Sequence, residues 1–133
     1  MLKIAILGLV FLSCARVGGP GSVPSPNTYT VNNNGSGAYR FSGNGVNSSA
    51  DDPTLTFTRG ETYTLNITTS GTHPFFIKTA ISSGSNDAYN DGVSNNGATT
   101  GSITFTVPAG APSTLLYQCG LHTTMAGTIN IVD

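Results

Sequence analysis

Apolar and polar residues alternate along most of this chain. In TLTFT, Leu55 and Phe57 alternate with threonines, and in TYTLNIT, Tyr63, Leu65 and Ile67 do the same. Ile103, Phe105 and Val107 recur at the same interval in SITFTV, as do Ile129 and Ile131 in TINIV. A period of two puts every second side chain on one face. These segments therefore predict strands with one buried and one wet face, as in antiparallel sheets. TYTV, AYRF, HPFFIKT and LLYQC bring the total to about eight. Turn-rich stretches (NNNGSG, SGNG, TRGE, PAGAP) separate them, and no window carries a helical period. The pattern predicts an all-β chain folded as a Greek-key β-sandwich.

One connection breaks the rhythm. Residues 80–101, AISSGSNDAYNDGVSNNGATTG, show no clear periodicity, and connections this long are usually functional or disordered. NDAYNDG has the look of a calcium loop, but alanine stands at position 98 where the final bidentate acid is wanted. The segment is expected to be an Asn/Gly-rich surface excursion.

Composition narrows the function. The 133 residues suffice for one core. Only 8% are charged, against roughly a quarter in an average soluble domain. A net charge of −1 leaves no basic footprint for nucleic acid. Abundant Thr and Asn, no Trp and few Lys or Glu fit an extracytoplasmic β protein. Asp51 and Asp52, next to Pro53, read as turn residues. No serine sits in a nucleophile elbow, and no third residue is placed to orient a histidine for base work. The chain is expected not to be an enzyme.

At the N-terminus, MLKIAILGLVFLSCARVGG has one lysine ahead of the apolar run Ile4–Leu12. This predicts an export signal over residues 1–17, too short to span a bilayer as a helix. A Gly/Pro/Ser linker follows at 18–27, then a single domain at 28–133. Cys14, directly after FLS, resembles a bacterial lipoprotein cleavage site. Lipidation there is the one membrane attachment the sequence suggests. The alternative is an ordinary signal peptide cut before Gly21.

Against this bland background stands YQCGLHTTM, residues 117–125. Set aside Met1 and Cys14, and every remaining sulfur and imidazole is Cys119, His122, Met125 or the distant His73. Two imidazoles, one thiolate and a weak thioether form a donor set that suits copper cycling between Cu(I) and Cu(II). Zinc accepts the same ligands without redox use. The three-residue steps from Cys119 to His122 and Met125 let a tight loop fold both over one point, with Gly120 supplying backbone freedom. A lone buried Cys or Met is usually just core filling; four scarce residues at these spacings point to a metal.

HPFFIKT, GSITFTVPAG and LLYQCGLHTTMAGTINIVD together resemble the cupredoxins, the type 1 blue-copper family. The likeness covers roughly residues 54–133, and the short Cys-x2-His-x2-Met loop is similar to that of amicyanin-like members. The resemblance implies one copper ion held by His73, Cys119 and His122, with Met125 as axial ligand. It implies a one-electron carrier that meets redox protein partners, with electrons passing near His122. There is one departure: Pro74 follows the upstream histidine where several cupredoxins carry Asn, and proline has no N–H to offer. The chain is also similar to cupredoxin-like domains of marine bacterial surface proteins and marine phage structural proteins. That likeness implies the alternative: a structural or adhesive module of a cell surface or virion, assembling with itself or a coat protein, whose copper site is stabilising or vestigial.

Overall fold

The computed structural model describes residues 26–46 and 49–133. The signal-like segment, Cys14 and nearly all of the linker lie outside the described residues. Nine strands follow in order: β1 (Thr28–Asn34), β2 (Ala38–Ser42), β3 (Leu55–Thr58), β4 (Thr62–Ile67), β5 (Phe75–Lys78), β6 (Val93–Ser94), β7 (Gly101–Thr106), β8 (Thr114–Cys119) and β9 (Ala126–Val132). One sheet has the order β2-β1-β4-β7-β6 and the other β3-β9-β8-β5. There is no helix among the described residues. The result is the expected β-sandwich, with a short ninth strand inside the long connection.

The core is what the alternation predicts. Leu55, Phe57, Leu65, Ile67, Ile103, Phe105, Ile129 and Ile131 all point between the sheets and are buried. Each fully buried aliphatic or aromatic side chain contributes about 1.5–3 kcal/mol. Phe57 of one sheet stacks on Tyr63 of the other, with ring centroids 3.9 Å apart. Nearer the Cys119 end, Phe41, Tyr39, Phe75 and Tyr117 interlock, Phe75 and Tyr117 being nearly parallel at 5.6 Å.

Strand direction departs from the expectation of antiparallel sheets. β1 runs parallel to β4 and β3 parallel to β9. The chain passes repeatedly between sheets, so some strands come home beside a neighbour running the same way. A period of two records which face is buried and says nothing about direction.

The 80–101 segment is the surface excursion expected, with no buried residue, but it is more ordered than its sequence suggests. It is docked on the free edge of β5 and supplies much of the pairing a further strand would give. Phe75 donates to the Ala98 carbonyl (3.0 Å), Gly97 to the Phe75 carbonyl (2.7 Å) and Tyr89 to the Ile77 carbonyl (2.8 Å). Asn96 completes the ladder with its side chain: Oδ1 accepts the Ile77 N–H (2.8 Å) while Nδ2 serves the carbonyls of Ile77 and Tyr89. An unpaired edge is thereby closed. Ser82 of the segment also binds Lys78 and Gln118 on the outer face of β5 and β8, and these two, outward by alternation, are fully buried.

Candidate metal centre

His73, Cys119 and His122 converge at one end of the sandwich, with one ligand atom from each lying within 4.8 Å of the others. Strand pairing places two of them. Phe75 is opposite Cys119 in the β5–β8 register, which brings His73, two residues earlier, beside the end of β8. The turn after β8 supplies the third. Met125 donates to the His122 carbonyl (3.0 Å), and Cys119 donates to the Met125 carbonyl (2.9 Å). These two bonds close a tight loop that folds His122 back over the cysteine.

Cys119 is a free, fully buried thiol. His73 is buried and His122 half-buried, so the cluster has one imidazole at the solvent edge. The sulfur lies 3.8 Å from His73 Nδ1 and 3.5 Å from His122 Nδ1. Metal–sulfur and metal–nitrogen bonds of about 2.3 and 2.0–2.1 Å, opened at tetrahedral to trigonal angles, separate S from N by about 3.6–3.8 Å. The two sulfur–nitrogen separations therefore fit one shared metal ion, toward which the two imidazole nitrogens, within 4.8 Å, would draw together. Burial, aided by the neighbouring His122, pushes the His73 pKa below the ordinary imidazole value. That favours the neutral form, the one that ligates.

Met125 is fully buried and belongs to the core cluster. Its backbone closes the ligand loop. Gly120 is buried: an added Cβ there would come within 2.9 Å of the Phe76 ring. Leu121 (61% exposed), Thr123 and Thr124 form the outer rim around His122. Pro74 has a role that needs no N–H, since its carbonyl accepts the Gly120 N–H at 2.9 Å and ties the upstream histidine segment to the cysteine loop.

Several residues around the site carried no metal-binding pattern in the sequence. Tyr39, fully buried, donates its hydroxyl to the His73 carbonyl (3.1 Å), fixing that histidine's backbone. Burial, then the adjacent Cys119 side chain, raises the Tyr39 pKa, keeping the phenol protonated. Asp52 sits in a turn at φ 43°, as its sequence suggests. Its carboxylate also accepts the backbone N–H of Tyr39 (2.8 Å) and that of Ala126, tying β2 to the residue after Met125. Gln118 and Ser82 bind each other beside the cysteine: Ser82 N–H to Oε1 at 3.0 Å, and Nε2 to the Ser82 carbonyl at 2.7 Å. Only folding brings Ser82 and Gln118 together, 36 residues apart.

Comparison with protein-family models found no match, and comparison with curated proteins found none. Among solved structures, the chain is similar to the copper protein rusticyanin, with a TM-score of 0.54, 18% identity, and 80% of this chain and 79% of that one covered. Reduced rusticyanin gives 0.54 and 18%, covering 80% and 81%. Rusticyanin from Thiobacillus ferrooxidans gives 0.52 and 19%, covering 80% and 79%. At this identity the likeness concerns the path of the backbone alone: the chain has the cupredoxin fold, an all-β sandwich.

Proposed function

We propose that this protein carries single electrons between redox protein partners on one copper ion, which His73, Cys119, His122 and Met125 would hold. The observation that carries the reading is the convergence of one cysteine sulfur and two imidazole donors, the sulfur 3.8 and 3.5 Å from the two Nδ1 atoms, with Cys119 and His73 buried and His122 half-buried. Rusticyanin, which shares the fold, is a copper protein. Copper held by these ligands supplies a one-electron couple.

The chain's own part is to hold geometry. β5 and β8 are locked by their ladder, and the ligand loop is closed by its own backbone bonds. Burial excludes water from Cys119 and His73, while His122 gives an electron a short way to the surface. Beside it, the exposed Leu121 is apolar, and no charged side chain lies in the loop 120–125. Docking there depends on a small apolar contact more than on electrostatic steering. The low charge, the Thr/Asn-rich surface and the export-like N-terminus support an extracytoplasmic location.

The test is a Cu(II) titration followed by visible absorption, with Cys119→Ser beside the wild type. The reading expects an intense thiolate-to-copper band that saturates at one equivalent and is missing in the variant. A colourless protein, merely stabilised by zinc, contradicts it and favours a structural module.

A further inference from the structure

We propose that Lys78 is a positioning residue of this centre: a buried cation that favours its reduced state and so raises the potential at which the protein exchanges its electron. The inference rests on the function proposed above.

Lys78 ends β5 and is fully excluded from solvent. Its Nζ donates to the Ser82 carbonyl (2.7 Å) and to Ser82 Oγ (3.2 Å), and lies 5.5 Å from the centroid of the Phe76 ring. Ser82 Oγ uses its own proton on the Asn86 carbonyl (2.6 Å), so toward Lys78 it acts as acceptor. The ion pairs among the described residues join Arg40 to Asp51 and Arg59 to Asp133, and neither includes Lys78. An ammonium buried without a carboxylate contact is expensive, and an unbranched apolar side chain would fill the same space without that cost.

Two routes connect this charge to the site. The Ser82 carbonyl that caps Lys78 also accepts Gln118 Nε2, which donates in turn to the Cys119 carbonyl at 3.2 Å. The Phe76 ring beside the ammonium packs on Gly120, the residue after Cys119. Burial pushes the Lys78 pKa down, and the Asp87 carboxylate and the Cys119 sulfur push it back up.

A thiolate and two neutral imidazoles give the donor set a charge of −1. With copper bound, the site is neutral when reduced and carries +1 when oxidised. A fixed positive charge nearby opposes the second state more than the first. No bond forms or breaks and no proton moves: one electron comes from one redox protein and leaves to another. Lys78 biases that exchange toward retention.

The experiment is a potentiometric titration of the copper-loaded full chain as wild type, Lys78→Met and Lys78→Gln, each with its visible spectrum. Both variants are expected to keep the visible band and to favour the oxidised form by roughly tenfold over wild type, which for one electron is about 59 mV lower in potential. Glutamine keeps hydrogen-bond donors without charge, so equal shifts in the two variants identify charge as the cause. An unchanged potential overturns the inference, as does a shift in Lys78→Met with none in Lys78→Gln. Should Lys78→Met fail to fold, Lys78→Gln decides alone. A wild type without a copper band overturns this inference together with the function it rests on; a wild type with the band and unshifted variants overturns the inference only.

Discussion

The seven residues from Cys119 to Met125 and the twenty-two from 80 to 101 lie against each other, yet they are ordered by different means. The short loop is closed by its own backbone, Met125 to His122 and Cys119 to Met125. The long one borrows its order from elsewhere. Asn96 holds it to Ile77, Ser82 holds it to Gln118, and Gly84 donates to the Gly120 carbonyl at 2.9 Å. Gly97 lets it lie flat on Phe76. One region encodes a site locally; the other becomes structure only once β5 and β8 exist to receive it.

The sharpest way to break this contrast is Gly97→Ala. Gly97 has φ +89°, and an added Cβ would sit 2.6 Å from the Phe76 ring. Backbone strain and overpacking together should destabilise the protein by about 2–4 kcal/mol. The same change should loosen the cover over β5, which hydrogen exchange at Ile77 and Tyr89 would report. Stability within experimental error of wild type, with those amides still protected, would mean that the segment does not depend on this contact.

Asn96→Ala is a gentler probe of the same region. It removes the acceptor of the Ile77 N–H and the Nδ2 bonds to Ile77, Tyr89 and Asn90. Leaving such groups unpartnered should cost about 1–3 kcal/mol in urea unfolding of the metal-free protein. The ligand loop, closed by its own bonds, should still take up copper. Loss of copper binding in a folded Asn96→Ala protein would show that the two regions are not separable.

Acid probes the other side of the comparison. The folded-state pKa of His73 is depressed by burial and by His122. The unfolded chain then binds this proton first, so stability is complete above the ordinary histidine pKa of about 6.5 and declines as pH falls from there toward the folded value. Metal-free protein should show this decline, and His73→Asn should remove part of it. A decline of the same size in His73→Asn would assign it to other groups. The expected effect is the smallest of the three, because a single histidine contributes it.

Much of this molecule was legible before folding, for identifiable reasons. Alternation marked Leu55, Phe57, Tyr63, Leu65, Ile103, Phe105, Ile129 and Ile131 as core, since a strand's two faces differ in burial whatever its partners. The His/Cys/Met cluster stood out because so few reactive residues surround it, and the structure brings His73, Cys119 and His122 together. What was not legible depends on contacts distant in sequence. Strand direction was one case, with β1 beside β4 and β3 beside β9 running parallel. Lys78 was another: it occupies an outward position in its strand, and only the docking of Ser82 and its neighbours converts that position into a buried one. Tyr39 and Asp52 brace the site from β2 and the turn ahead of Pro53, far from any ligand spacing that marks a metal centre.

An electron carrier built on this geometry would hold one copper in both redox states and exchange one electron with little rearrangement. The most direct measurement is a potentiometric titration of the copper-loaded protein, run in both directions while the visible band is followed. A single one-electron transition is expected, superimposable on reduction and reoxidation, with the full band recovered and no copper released. Hysteresis, loss of copper on reduction or a band that does not return would contradict it.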